Sequence, residues 1–221
     1  LSVVSSYPDL LENVIGGTED DLIIGNSGSN TLDGRAGEDT INGLEGDDLL
    51  IGGTENDRFE FNENWGNDAV EELADGGTND TMSFSDVNDD LTFIVGTNFI
   101  NVTDGINFVS HVGDVTNHIE RVDGGTGNNQ LVAADTPNTW IITGENEGTI
   151  NGLFFTNVAN LVGGSDADTF IFESNGRITG NIAGGDGDDQ FNLTVGLGVG
   201  GTLDGGNDDN DELIGPDTGA V

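Results

Sequence analysis

The chain has no cysteine and no lysine, and its four basic residues stand against 42 acidic ones. Without cysteine there can be neither disulfides nor thiolate metal sites. Any metal must then be held by oxygen, which suits hard cations such as calcium. The bases are Arg35, Arg58, Arg121 and Arg177, and the net charge is -38. A nucleic-acid binder needs a basic footprint to displace counterions from phosphates, so no nucleic-acid partner is expected. Anionic membrane surfaces are excluded by the same repulsion. No run approaches the roughly 18 apolar residues of a membrane span, so no membrane insertion is expected. The opening stretch LSVVSSYPDLLENV has neither an initiator Met nor a basic segment, so no signal peptide is expected there. The abrupt PDTGAV end suggests an excerpt of a longer chain.

Such a charge excess ordinarily signals disorder, but here the apolar residues are placed periodically. Glycines at 16, 25, 34, 43 and 52 open five consecutive blocks of nine. Position six of the blocks holds Asp21, Asn30, Asp39, Asp48 and Asp57. Position eight holds Ile23, Leu32, Ile41, Leu50 and Phe59. Three columns in phase over the whole stretch are a repeat. A nine-residue period is too short for a helical unit and unrelated to 3.6. Each block reads as six turn residues and a three-residue strand, of which the middle side chain faces inward. If two blocks make one coil, odd strands stack in one sheet and even strands in another, with column eight between them. Asp21, Asp39 and Asp57 then form one ladder, and Asn30 and Asp48 another. Carboxylates about 4.8 Å apart repel unless a cation lies between them, so metal binding and folding should be coupled.

These blocks resemble the RTX, or hemolysin-type, calcium-binding nonapeptide GGxGxDxUx. The resemblance implies an all-β fold: a right-handed parallel β-roll or β-helix solenoid with several calcium ions in its turns. It also implies a ligand set, the position-six residues together with backbone carbonyls. Carried over, these are Asp21, Asp39, Asp48 and Asp57, with Asn30 a neutral and weaker variant at which a site is expected to be loose. Glu19 and Glu55 depart from the pattern by replacing the glycine of position four. Strain in those turns and use of the extra carboxylate are both open.

The next stretch, FEFNENWGNDAVEELADGGTNDTMSFSDVNDDLTFIV, resembles the segment that often follows RTX repeats, with Asp68 and Asp80 at its acidic turns. Phe59, Phe61, Val70, Met82, Phe84, Leu91 and Phe93 are its expected core, and Trp65 is expected in the core or as a cap. Further on, GlyGly pairs at 163–164, 184–185 and 205–206 recur every 21 residues. Phe170, Phe172, Ile178, Ile182, Phe191, Leu193, Leu203 and Leu213 are the expected inward residues. The nonapeptide fit places Asp189 and Asp168 at position six, with Asp166 in a glycine slot, and Asn129 likewise. Asp211 follows a turn one residue longer. Calcium ligation and solvated turn acids are equal readings of these residues. The stretches around INFVSHV and LFFTNVANLV share one order of strands and GlyGly turns, an internal duplication in which the first copy has extra residues around 113–118. Residues 90–215 bear a looser resemblance to repeat regions of large bacterial surface adhesins. The expected organisation is a lead-in at 1–15, a roll of five nonapeptides at 16–61, an associated β segment at 62–123 and a looser solenoid at 124–221.

No catalytic constellation stands out. Acid pairs are everywhere, and these recur at equivalent points of repeating turns, whereas catalytic carboxylates are singular. His111 and His118 lack any metal-binding motif, Ser83 and Ser110 lack a GxSxG context, and no phosphate loop is present. The expectation is a non-enzymatic calcium-binding structural or adhesive module of a secreted or cell-surface bacterial protein, exported by a type I-like route and folded by extracellular calcium. A carboxy-terminal secretion module of an exoenzyme and a self-assembling surface-layer or filament subunit are the alternatives. Cell-surface or self-assembly partners accompany the first and third readings.

Overall fold

The computed structural model describes residues 2–4, 12–72, 77–112, 119–193, 198–207 and 210–215. Among them the regular structure is strand throughout, with no helix. The chain divides into two compact units, Leu1–Leu91 with Thr97–Gly127, and Thr92–Gly96 with Asn128–Val221.

In the first unit the nine-residue period becomes two parallel sheets. Leu22–Ile24, Thr40–Asn42 and Arg58–Glu60 stack in one, in the register Ile23↔Ile41↔Phe59. Asn13–Ile15, Thr31–Ala36 and Leu49–Thr54 stack in the other, in the register Val14↔Leu32↔Leu50. Every column-eight residue is fully buried, because only the middle of three strand residues can point between the sheets. Parallel pairing at a spacing of 18 is therefore the geometry expected of two blocks per coil.

Beyond Phe59 the coils lengthen but keep the column. Met82 pairs with Phe59, and Val122 with Met82; Val70 pairs with Leu50, and His111 with Val70. Phe61, Phe84, Leu91 and Trp65 are buried as expected. Phe61 and Phe84 stack at 4.6 Å, with Trp65 edge-on to both. One departure is an antiparallel hairpin, Phe99–Thr103 with Phe108–Val112, inserted into this parallel stack. His111 lies on its second strand, buried, with Nδ1 3.1 Å from the Val70 carbonyl. His118 lies outside the described residues.

The second unit repeats the scheme with larger coils. Thr139–Gly144, Thr169–Phe172 and Gln190–Leu193 form one stack, whose inner residues Trp140, Phe170 and Phe191 are stacked face to face at 5.3 and 5.0 Å. Thr92–Val95, Gln130–Ala133, Asn160–Gly164, Ile182–Gly185 and Leu203–Gly206 form the other. The 21-residue period is visible as Gly164↔Gly185↔Gly206. Here too an antiparallel excursion interrupts the coils, Thr139–Gly144 turning through Glu147–Ile150 to Leu153–Thr156. The internal duplication thus corresponds, in each copy, to the last strand of such an excursion followed by a return to the parallel stack. Phe93, Phe170, Phe172, Ile178, Ile182, Phe191 and Leu193 are buried, whereas Leu203 is half-buried. Leu213 does not fit the expectation: it pairs with Phe191 but is 57% exposed. Its strand, Glu212–Ile214, is an edge among the described residues, so one side of the leucine is uncovered.

Candidate metal centre

The turns feeding these strands explain the glycines. In the third and fourth blocks position four is Gly37 and Gly46, with φ of 114° and 132°, a left-handed backbone that costs a residue with a Cβ about 1–2 kcal/mol. Arg35 and Leu44 at position two, and Glu55 at position four, hold the same region with side chains, at φ of 79°, 71° and 78°. At position one the requirement is space rather than φ. A methyl group on Gly34 would run into Asp39 Oδ2 and into the carbonyl oxygen of Gly52, one coil on. At Gly16 the obstacles are Asp21 Oδ2 and the Gly34 carbonyl, and at Gly25 they are Asn30 Oδ1 and the Gly43 carbonyl. Gly16, Gly25 and Gly34 each leave a gap on which a position-six oxygen and a carbonyl oxygen converge, and Gly43 leaves one that Asp48 Oδ2 faces.

The position-six residues form the two ladders, joined by their own backbone. The Asp21 N–H donates to Asp39 Oδ1 at 2.7 Å, and the Asp39 N–H to Asp57 Oδ1 at 2.8 Å. Along the other edge the Asn30 N–H donates to Asp48 Oδ1 at 2.7 Å. Asp68 and Asp80 extend these ladders, accepting from the Asp48 and Asp57 N–H groups at 2.9 and 2.7 Å. Glu120 follows, accepting from the Asp80 N–H at 2.6 Å. In the second unit, Asn138, Asp168, Asp189 and Asp211 repeat the pattern at 2.7, 2.8 and 2.9 Å. Asp168 and Asp189 are buried and Asp211 is half-buried. Asn129 is fully buried, and its Nδ2 donates to the Asn157 carbonyl.

Asp21 Oδ2 accepts from the Gly17 N–H of its own block at 2.6 Å, whereas from Asp39 onward one oxygen of each carboxylate is engaged by the neighbouring coil. The other is not so placed: Oδ2 of Asp39, Asp48, Asp57 and Asp168 is buried without a hydrogen-bond partner. Burial pushes Asp48 up to about 6, Asp57 to about 7, Asp68 to about 8 and Asp168 to about 6. It raises Asp39 as well, and the Asp21 and Asp20 charges add to this. An ionised carboxylate buried in this way lacks a counter-charge.

Asn138 shows what fits there. Sequence patterns pass over it, because Ala133 and Ala134 stand where its block should have glycines. Its Nδ2 donates to the carbonyls of Ala134 (3.0 Å), Thr136 (2.6 Å) and Gly163 (3.3 Å) and to Asp168 Oδ1 (2.8 Å). Three carbonyl oxygens and a carboxylate oxygen close around one electropositive group. A donor set made only of oxygens, carrying negative charge and contributed by two coils, is what a hard divalent cation requires. Where position six is aspartate, no amide is present to fill such a cage, and calcium fits the residues that remain.

The opposite edge of the second unit is built differently. There the Asn181 N–H donates to Asn160 Oδ1 and the Thr202 N–H to Asn181 Oδ1. Asn160 Nδ2 donates in turn to Asn128 Oδ1 and to the Asn129 carbonyl. Amides both donate and accept, so that ladder carries no charge to neutralise.

Two acids of the first unit were not signalled by the repeat. Glu120 stands immediately before a strand, Arg121–Asp123, as every position-six residue of the roll does. Glu72 directly follows the strand Asn67–Glu71 and is buried. It forms a close trio with Asp57 and Asp80, with one ligand oxygen from each lying within 4.8 Å of the others.

A family model for the RTX calcium-binding nonapeptide repeat, four copies long, matches residues 12–41 and 24–59. No curated protein matches the chain.

Proposed function

We propose, from the premise that residues 12–59 are RTX calcium-binding nonapeptide repeats, that calcium completes the fold of this chain as a structural module of a secreted or cell-surface protein. Asp21, Asp39, Asp48 and Asp57 are the ligands in the roll, with Asn30 the weak rung. Asp68 and Asp80 continue the set, and Asp168, Asp189 and Asp211 serve the second unit. The observation that carries this reading is the row of buried, unpartnered Oδ2 atoms on Asp39, Asp48, Asp57 and Asp168. When bound, calcium supplies the positive charge that lets carboxylates of neighbouring coils approach.

The chain's own residues prepare each place. Position-one glycine leaves the gap, the backbone N–H of the preceding coil fixes Oδ1, and column eight keeps water from below. With calcium scarce, the fold would bury several ionised carboxylates, and with a net charge of -38 the unfolded chain is favoured. With calcium at about 100 times the dissociation constant, each ion adds roughly 2.7 kcal/mol. A few such ions match the whole stability of an ordinary domain, about 5–15 kcal/mol. This difference suits a protein that crosses the envelope unfolded and acts outside the cell.

Circular dichroism tests the linkage. Excess chelator should abolish the β-sheet signal and added calcium should restore it. A spectrum unchanged by chelation would overturn the reading.

A further inference from the structure

The trio of Asp57, Glu72 and Asp80 breaks the rule followed by the other cradles. At Gly16, Gly25 and Gly34 the gap is faced by the carbonyl of the position-one glycine in the next coil. The pairing Ile51↔Glu71 sets Glu72 beside Gly52, in the slot where that next glycine would fall. Its side chain, not its carbonyl, faces the gap. A methyl group on Gly52 would meet Glu72 Oε1 and, at 2.5 Å, Asp57 Oδ2. Asp80 closes the group as the residue before the strand Thr81–Ser83 of the following coil, its Oδ1 accepting from the Asp57 N–H. All three residues are buried. Asp57 Oδ2, fully enclosed and without a hydrogen-bond partner, points into the gap that Glu72 Oε1 enters.

We propose that Asp57, Glu72 and Asp80 form a tricarboxylate site for one hard divalent cation, chemically distinct from the nonapeptide cradles and the tightest in the chain. It rests on the calcium reading above only for the identity of the ion. Cation affinity at oxygen sites rises with the number of charged ligands. This site offers three carboxylates where a regular cradle substitutes a neutral carbonyl for one of them. It also links three separate stretches: the last nonapeptide, the end of the strand Asn67–Glu71 and the turn before Thr81–Ser83.

The experiment is calorimetric titration of the full chain with calcium, with Glu72→Gln and Asp39→Asn alongside. Glutamine keeps the size of the side chain and removes its charge. Glu72→Gln should weaken the tightest class of ion by about tenfold or more, and Asp39→Asn should leave that class in place while removing a weaker ion. An unchanged tightest class in Glu72→Gln overturns the proposal. If instead Asp39→Asn and Asp48→Asn remove no ion while Glu72→Gln removes one, the nonapeptide reading fails and this site stands. Should Glu72→Gln not fold, crystals of the unaltered chain grown with terbium decide the matter. An anomalous peak within ligand distance of all three carboxylates supports the site. Peaks at the nonapeptide turns with none here refute it.

Discussion

Replacing Asp48 with asparagine removes one charge and changes almost nothing in shape. The Oδ1 that accepts from the Asn30 N–H survives as an amide oxygen, and the unpartnered Oδ2 becomes an NH2 group. In the metal-free fold the native carboxyl is pushed by burial from 3.8 to about 6, and the nearby Asp47 charge adds to the shift. Its folded value exceeds its unfolded one, so the native state holds the proton longer and loses stability as pH rises between about 4 and 6. Above that window the ionised side chain costs the metal-free fold about 3 kcal/mol, at about 1.4 kcal/mol per pH unit. An amide escapes that cost and can donate to surrounding carbonyls, as Asn138 does. In excess chelator at pH 8, Asp48→Asn should therefore need less of an osmolyte such as TMAO to reach half-folding than the native chain. In saturating calcium the order should reverse, because the variant forgoes one ion worth roughly 2.7 kcal/mol at 100 times its dissociation constant. Calorimetry should count one ion fewer. The crossing is the signature: a variant less stable than the native chain under both conditions would refute the argument that the carboxylate is tolerated only for its cation.

Calcium uptake at neutral pH should release protons, since Asp57 and Asp68 are pushed by burial to about 7 and about 8. Titration in two buffers of different ionisation enthalpy reads this directly. Raised carboxyl values also mean that the chelated chain gains order on acidification from about pH 8 to about pH 4, which circular dichroism checks. Leu44→Gly should stabilise the calcium-bound form by about 1 kcal/mol, because Leu44 spends its left-handed φ of 71° on a surface position. Thermal melts at fixed calcium would measure this.

The roll was legible because two columns carried the same period. Ile23, Leu32, Ile41, Leu50 and Phe59 named the inside, and Asp21, Asn30, Asp39, Asp48 and Asp57 named the edges, so register and ladders followed from spacing alone. Past Phe59 the coils take insertions of unequal length, and the phase can no longer be counted. Phe59↔Met82 and Leu50↔Val70 continue the same columns at 23 and 20 residues instead of 18. Asp68 and Asp80 still read as candidate rungs, since each lies in an acidic turn near glycine, and both join the ladders. Glu72 was not, because nothing local marks it: its role comes from lying opposite Gly52, a fact of pairing rather than of motif. Asn138 escaped for a related reason, its glycines having been replaced by alanines. The antiparallel excursions were hidden inside stretches that alternate like any other strand. Leu213 was misplaced because period says which way a side chain points and not whether anything covers it.

The amide at Asn138 bears on the shape of the calcium response. If the proposed ligands hold calcium, every aspartate rung adds an ion to the number that must arrive before the coils close, and so steepens the transition. Every asparagine rung subtracts one and moves the threshold to lower calcium. On the proposed function, aspartate and asparagine at position six would act as settings of a switch, fixing how sharply and at what concentration it turns. With Asn30, Asn129 and Asn138 among its aspartates, this chain would then turn earlier and more gradually than one in which every rung is acidic.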